Sequence, residues 1–174
     1  LEKAGYKVGL IGTIATYING KMISESSRTT PESIELQKTF AQMVEAGVEY
    51  VVMEVSSQSL KLHRVDGCAF DMVLFTNFSE DHISPKEHPN MEDYFSSKVQ
   101  LFKMCKTGFI NADDFHVAKL PKLVPECNIT TYGIDNYCNV LAKDITITNS
   151  YVDFKVKIGM KNERIKTCIP GRFS

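Results

Sequence analysis

The sequence predicts an α/β fold in which helices flank a mostly parallel sheet and a C-terminal antiparallel β meander follows. Three observations indicate this. A helical pattern separates two apolar segments, residues 7–14 and 48–55, and strand–helix–strand order gives parallel pairing through a right-handed crossover. Further apolar runs alternate with helical patterns up to residue 132. Between residues 140 and 169, apolar and polar residues alternate with a period of two between short turns, which is typical of antiparallel strands.

The first half of the chain contains one strand–helix–strand unit. Residues 15–28, which are polar, are expected to form a flexible loop after the first strand. A helix is predicted over residues 31–46, with Thr30 as N-cap, Pro31 at its first position and Gly47 at its end. The residues of its apolar face are Ile34, Leu36, Phe40, Met43 and Val44. The next strand is rich in β-branched residues and is predicted to lie centrally in a buried parallel sheet.

The second half continues the alternation. After a strand at residues 70–77, Asn90 is expected to cap a helix over residues 91–105, and Gly108 is expected to end it. Shorter elements complete the α/β pattern: a strand at residues 109–111, a helix around 115–123 and a strand around 128–132.

Composition excludes several classes of protein. The 174 residues include 43% hydrophobic residues and carry a formal net charge of −1, so nothing indicates a nucleic-acid partner. No apolar run approaches the roughly 20 residues of a membrane span, no signal peptide is visible, and no obligate protein partner is evident. The five cysteines are widely spread without a CxxC pair, so reduced thiols in a cytoplasmic protein are expected.

Polar residues at strand ends are the first candidates for chemistry. Glu54 follows one predicted strand and His82 follows another, so in a parallel sheet both would face one cleft. A carboxylate and an imidazole can hold a divalent cation, and Asp81 could orient the imidazole. The alternatives are an acid that is salt-bridged or in solvent, and an ordinary loop histidine.

Lys98 is unusual because it lies on an apolar helix face. The face consists of Met91, Tyr94, Phe95 and Phe102, at offsets 0, 3, 4 and 11, and Lys98 occupies offset 7. A lysine there must extend to solvent, form a pair or lose its charge. A lysine that loses its charge can be modified by carbon dioxide to a carbamate, which supplies oxygen ligands to a metal.

Four further residues suit anion or ligand contacts. Thr29 and Thr30 lie at a predicted helix N-terminus, where N–H groups favour anions, although plain capping also explains Thr30. Arg64 offers a planar fork for a second anionic group. Asn111, followed by two aspartates, ends another strand at the same predicted cleft edge.

Six segments together resemble the Mur ligases, and most closely the UDP-N-acetylmuramoyl-tripeptide synthetase type. In chain order they are T-T-P-E-S, V-V-M-E-V-S-S, F-T-N-F-S-E-D-H, Y-F-S-S-K-V-Q-L-F, I-N-A-D-D and P-G-R-F. The resemblance implies a cytoplasmic, ATP-dependent ligase of peptidoglycan precursor synthesis. Such enzymes join an amino acid, here diaminopimelate or lysine, to a UDP-muramoyl dipeptide through an acyl phosphate, with Mg²⁺.

The resemblance also assigns roles to residues. It implies that Glu54, His82 and a carbamate on Lys98 serve catalysis at the metal site. It implies that a nucleotide lies near Asn111. The positions that match contacts to the UDP-muramoyl substrate are Thr29, Thr30, Ser56 and Arg64.

The chain also departs from the family pattern. It lacks a G-x-x-x-x-G-K-[ST] phosphate loop, so residues 1–174 are interpreted as a single incomplete central domain without the family's N-terminal and C-terminal domains. We therefore expect no ligation by these residues alone. Gln58, Leu62 and Ser174 differ from the residues common in relatives. Alternatives are an amide ligase of the folylpolyglutamate or cyanophycin synthetase type, a non-catalytic binding module on the same fold, and a metal-dependent hydrolase.

Overall fold

Two β-sheets organise the chain in the computed structural model, which describes residues 1–80, 83–85, 87–169 and 171. The chain divides into two compact units, Leu1–Cys68 with His82–Gln100 and Ala69–Asp81 with Leu101–Ser174. The predicted α/β class, with parallel strands and an antiparallel C-terminal meander, is confirmed. No helix in the described part of the chain is both long and apolar enough to cross a membrane.

The first unit contains a four-stranded sheet in the order β3-β2-β1-β4. Strand β1 pairs parallel with β4 and antiparallel with β2, and helix α1 connects β3 to β4. Its strands are β1 (Val8–Ile11), β2 (Ala15–Ile18), β3 (Lys21–Glu25) and β4 (Tyr50–Met53). The helices are α1 (Ser33–Glu45) and α2 (Ser57–Lys61), after a 3₁₀ turn at Glu2–Ala4, and α3 (Met91–Lys103), which belongs to this unit as far as Gln100.

Helix α1 packs on its sheet through a close contact at Gly9. A Cβ atom at Gly9 would lie 2.5 Å from the sulfur of Met43, so a larger residue at this position would require the buried Met43 side chain to move. Leu36 and Met43 are fully buried on the same side. Ile34 and Val44, predicted on the apolar face, are instead 73% and 75% exposed. At about 100° per residue, their side chains point away from the face that Leu36 and Met43 bury.

Two predictions about the first unit were wrong in detail. Residues 15–28 do not form a loop throughout, because β2 and β3 form an antiparallel hairpin. Asn19 and Gly20 turn this hairpin with φ values of 51° and 77°, and Asn-Gly is a known hairpin signal. Helix α1 begins at Ser33 rather than Pro31, and Thr30 makes no cap bond because its hydroxyl is used elsewhere.

Strand β4 differs from its predicted central position. It lies at the edge of the four-stranded sheet, and Tyr50, Val51 and Val52 are 45%, 43% and 48% exposed. Its apolar composition therefore did not identify its place in the sheet.

The second unit contains a six-stranded sheet in the order β10-β9-β8-β7-β6-β5. Strands β5 to β8 pair in parallel, and β8 to β10 form the predicted antiparallel meander. Its strands are β5 (Phe70–Phe75), β6 (Cys105–Asn111), β7 (Asn128–Gly133), β8 (Val140–Ile147), β9 (Val152–Ile158) and β10 (Lys161–Thr167). The predicted helix around 115–123 is a 3₁₀ turn at Val117–Lys119 followed by the short helix α4 (Leu120–Leu123).

The boundaries of helix α3 test two local predictions. Asn90 caps it as predicted, because the Asn90 side-chain oxygen accepts a 2.8 Å hydrogen bond from the Asp93 N–H. Gly108 does not end it, because Gly108 lies within β6. A Cβ atom at Gly108 would lie 2.7 Å from the Phe102 ring, so the glycine instead makes room for that buried ring.

Candidate active site

Glu54 lies directly after β4, with its carboxylate exposed at the strand end. Its Oε2 atom accepts hydrogen bonds from the Thr13 backbone N–H at 3.1 Å and the Thr13 hydroxyl at 2.5 Å. Thr13 belongs to the connection between β1 and β2, so two neighbouring strands together orient this carboxylate. An oriented, exposed carboxylate is able to accept a cation or a hydrogen-bond donor from a ligand.

Thr29 and Thr30 join the same strand end. The Thr29 and Thr13 hydroxyl oxygens are 3.1 Å apart. The buried Thr30 hydroxyl donates to the Glu54 carbonyl and accepts from the Ser56 N–H, both at 3.0 Å. Thr30 therefore attaches its own segment, which carries predicted substrate contacts, to the segment from Glu54 to Ser56, which carries the predicted metal ligand.

Ser56 begins helix α2 and has a defined hydrogen-bonding direction. Its side-chain oxygen accepts from the Ser59 N–H at 3.1 Å, which makes it the N-cap of α2. The Ser59 hydroxyl in turn donates to the Ser56 carbonyl at 2.6 Å. Because capping uses Ser56 as an acceptor, its own O–H can donate to an oxygen atom of a ligand.

Arg64 has a largely buried side chain, unlike a side chain that is exposed to receive an anion. Its side chain is 8% exposed, and its Nη2 lies 3.1 Å from the Glu32 carboxylate. Nη1 donates to the Thr30 carbonyl at 3.5 Å, and the buried Nε has no hydrogen-bond partner among the described residues. Arg28 also pairs with Glu32, at 2.5 Å. Two guanidinium groups therefore meet one protein carboxylate beside the strand end.

Lys98 lies half-buried on α3, beside Tyr94 and Phe95, which are buried as their spacing predicts. Its Nζ is 5.1 Å from the centroid of the Tyr94 ring, within the range of a cation–π contact. His82 lies outside the described residues. The three-ligand site of Glu54, His82 and Lys98 therefore stays a prediction.

The described residues meet only part of the ligand requirement of Mg²⁺. They contain no group of three His, Cys, Asp or Glu side chains that could hold a metal. Magnesium in proteins is often bound by only one or two carboxylates together with substrate phosphates and water. The exposed carboxylate of Glu54 fits that type of site, and an unmodified lysine ammonium does not act as a ligand.

In the second unit, Asn111 at the end of β6 is held by protein groups. Its amide nitrogen donates to the Thr76 carbonyl at 3.1 Å, and its oxygen accepts from the Asp113 N–H at 2.9 Å. Asp113 accepts backbone N–H bonds from Ile134, Asp135 and Asn136 at 2.6, 3.1 and 2.8 Å. Burial raises the pKa of Asp113, but these donors outweigh burial and hold the pKa below its ordinary value. Contact between Asn111 and a nucleotide stays a prediction.

Sequence reasoning missed a second polar group in the first unit. His88 is fully buried and hydrogen-bonds Ser57 and Asp93. Asp93 lies in the first turn of a helix, where an acid is common, and no local sequence pattern shows that it also bonds a buried histidine. Thr13 and Glu32, which hold Glu54 and Arg64, were missed for the same reason.

The chain has the fold of an α/β domain with a polar cluster at the end of β4, and comparison with known proteins identifies its family. The Mur ligase middle domain matches residues 1–174. The chain therefore belongs to the Mur ligase family, as the resemblance of its motifs implied.

Relatives with similar sequences agree. A UDP-N-acetylmuramoyl-L-alanyl-D-glutamate–2,6-diaminopimelate ligase from Caldanaerobacter subterraneus subsp. tengcongensis is 47% identical over 100% of this chain and 36% of its own length. A ligase of the same name from Clostridium botulinum is also 47% identical, over 100% of this chain and 35% of its own length. The chain thus spans about a third of the length of these relatives.

Solved structures show the same fold. A structure of a UDP-N-acetylmuramoyl-L-alanyl-D-glutamate–2,6-diaminopimelate ligase superposes with a TM-score of 0.87 at 22% identity, over 99% of this chain and 36% of that one. The apo form of L. casei FPGS has a TM-score of 0.66 at 11% identity, over 99% of this chain and 48% of that one. At these identities the likeness concerns the fold alone.

Proposed function

We propose that the complete protein containing these residues is an ATP-dependent, cytoplasmic ligase that adds diaminopimelate to UDP-N-acetylmuramoyl-L-alanyl-D-glutamate. The observation that carries this proposal is the hydrogen-bonded cluster at the end of β4. Through Thr30, it joins the candidate metal ligand Glu54 to the candidate substrate contact Ser56. The names of the relatives support diaminopimelate over lysine as the amino acid.

The proposed reaction proceeds in two chemical steps. An oxygen of the substrate carboxylate attacks the γ-phosphorus of ATP, which releases ADP and leaves an acyl phosphate. The amine of the incoming amino acid attacks the acyl carbon, and the tetrahedral intermediate collapses to the amide with loss of phosphate and a proton. Negative charge develops on the phosphoryl and acyl oxygens in both steps, so cations and hydrogen-bond donors aimed at them are required.

The chain's own residues have separate tasks in this proposal. Glu54, oriented by Thr13, would contribute a carboxylate oxygen to Mg²⁺, which supplies charge neutralisation at the phosphates when bound. Ser56 would donate its O–H to the muramoyl substrate, with Thr29 and Thr30 beside it.

The remaining assignments follow from the family motifs. Arg64 would contact an anionic group of the substrate with the guanidinium N–H groups that its ion pair with Glu32 leaves free when that pair opens. A carbamate on Lys98 and the imidazole of His82 would complete the metal site, and Asn111 would lie near the nucleotide.

The proposal is tested by assaying the complete polypeptide with ATP, Mg²⁺ and the UDP-muramoyl dipeptide, with diaminopimelate and lysine offered separately. We expect phosphate release that depends on both substrates, and a product whose mass equals their sum less water. Turnover with lysine but not with diaminopimelate would make lysine the added amino acid. Phosphate release with folate and glutamate, but not with the dipeptide, would replace the proposal with the folylpolyglutamate alternative.

A further inference from the structure

A buried chain of hydrogen bonds runs through His88 in the first unit. His88 Nδ1 lies 2.6 Å from Asp93 Oδ2, and His88 Nε2 lies 2.9 Å from the Ser57 hydroxyl oxygen. The exposed fractions of His88 and Ser57 are 0% and 4%. Since an ionised carboxylate only accepts, the Nδ1 atom carries the proton, and in the neutral imidazole Nε2 accepts the hydrogen bond from Ser57.

Helix α2 is held at both ends by this group. At its beginning Ser57 contacts His88, and at its end Lys61 Nζ pairs with Asp93 Oδ2 at 2.7 Å and donates to the Glu87 carbonyl at 3.2 Å. The pKa of Asp93 is lowered, mainly by the hydrogen bond from Lys61 and next by the one from His88, and this keeps the carboxylate ionised. The short helix is therefore attached to the segment that precedes and begins α3.

A serine, a histidine and an aspartate in series also occur in hydrolases, where the serine is a nucleophile. That role does not fit here. A nucleophile must reach its substrate, and both the Ser57 hydroxyl and the His88 ring are enclosed by protein. The chain of hydrogen bonds is therefore a support for neighbouring groups.

Two candidate functional residues adjoin this support. Ser57 is the residue after Ser56, whose hydroxyl caps α2 and whose O–H direction depends on where α2 begins. On the other side, the His88 and Tyr94 rings have centroids 5.1 Å apart, and Lys98 Nζ lies over Tyr94.

We propose that His88 is a positioning residue for the muramoyl substrate: by fixing Ser57, it sets the beginning of α2 and aims the Ser56 hydroxyl. This proposal rests on the proposed function, because it uses Ser56 as a substrate contact. It predicts that the Ser57 bond of His88, rather than its Asp93 bond, determines substrate affinity.

Two nearly isosteric variants separate the two bonds. In H88Q the side-chain amide reaches the position of Nε2 and keeps an acceptor for Ser57. In H88N the amide reaches only the position of Nδ1 and keeps the Asp93 bond. In the complete ligase, we expect H88N to raise the KM for the UDP-muramoyl dipeptide about tenfold with less than a threefold change in kcat. H88Q should leave KM within threefold of wild type, and S57A should reproduce the increase without adding to that of H88N.

A matched control uses the exposed His63, whose Nδ1 lies 2.9 Å from Asp66, so H63N makes the same change in another His–Asp pair. It should leave KM unchanged. Equal KM values for H88N and H88Q, whether both normal or both raised, would overturn the proposal. If the wild type shows no ligation, the proposed function fails. The substrate part of this proposal then fails with it, and hydrogen exchange at the Ser59 amide tests the remaining part, that His88 sets the beginning of α2, because this exchange must be faster in H88N than in H88Q.

Discussion

Both units place polar side chains at the carboxyl end of a strand, but the two groups are used differently. After β4, the exposed Glu54 carboxylate accepts hydrogen bonds from Thr13, whose hydroxyl also lies within hydrogen-bond distance of the Thr29 hydroxyl. The Thr30 hydroxyl donates to the Glu54 carbonyl. After β6, the side-chain groups of Asn111 and Asp113 bond backbone atoms of neighbouring loops.

This difference shows that a strand-end position alone does not identify a ligand site. A carboxylate that accepts several backbone N–H bonds stabilises a loop, and moving it to a ligand would leave those donors unpaired. A carboxylate that is oriented by a neighbouring hydroxyl, yet remains exposed, can take a ligand without that loss. By this criterion we propose that Glu54 contacts a ligand and that Asp113 stabilises its loop.

The largest expected effect is the loss of activity in E54Q. Glutamine keeps the oxygen that accepts from Thr13, so the fold should be unchanged, but the negative charge that is proposed to hold a cation is removed. We expect kcat for ligation by the complete protein to fall about 10³-fold, with the same thermal midpoint.

The control is E49Q. Glu49 also accepts a backbone N–H, from Lys7 at 3.0 Å, but precedes β4 rather than following it. Its substitution should change kcat by less than twofold. Equal activities of E54Q and E49Q would contradict a special role for the carboxyl end of β4.

The second prediction is that D113N destabilises a loop. Asparagine loses the charge that strengthens the bonds from Ile134, Asp135 and Asn136, so the free energy of local opening should fall by about 1–2 kcal/mol. Hydrogen exchange at the Ile134 and Asn136 amides measures this opening.

This effect should depend on pH with a definite sign. The pKa of Asp113 in the folded protein is lowered from its ordinary value of 3.8, so its contribution is complete above that value and is lost as the pH falls through the lower folded value. The difference between wild type and D113N should therefore shrink below about pH 4. D71N, at an exposed aspartate of β5, is the control and should change opening by less than about 0.5 kcal/mol.

The sequence predicts the candidate residues of the first unit, but not how its strands are arranged. Glu54 was predicted as a metal ligand and Thr29, Thr30 and Ser56 as substrate contacts. Hydrogen bonds bring the chain segments of these residues together, while the roles themselves stay predictions. The exact use of Thr30 was not predictable, because a threonine before a helix looks the same whether it caps the helix or bonds a strand 24 residues away.

Long-range contacts explain the other differences. His88 meets Ser57 across 31 positions, and no local periodicity records such a pair. Strand β4 was predicted to be central because its residues are apolar and β-branched. Such a composition indicates that both faces of a strand are covered, but it does not show whether the strand has a neighbour on each side. The β2–β3 hairpin, in contrast, carried a usable signal in Asn19-Gly20, which the polar composition of the segment obscured.

The smallest expected effect concerns the orientation of Glu54. In T13V the hydroxyl bond to Glu54 Oε2 is lost while the Thr13 backbone N–H still donates, and the exposed position accommodates valine without repacking. We expect kcat of the complete ligase to fall about fivefold with an unchanged KM for the dipeptide, since the carboxylate keeps its charge but loses one of two bonds that fix its direction. T13S restores the hydroxyl and should recover kcat to within twofold of wild type. A T13S enzyme as slow as T13V would show that the methyl group, rather than the hydrogen bond, matters at this position. The hydroxyl-oriented carboxylate would then no longer distinguish the first unit from the second.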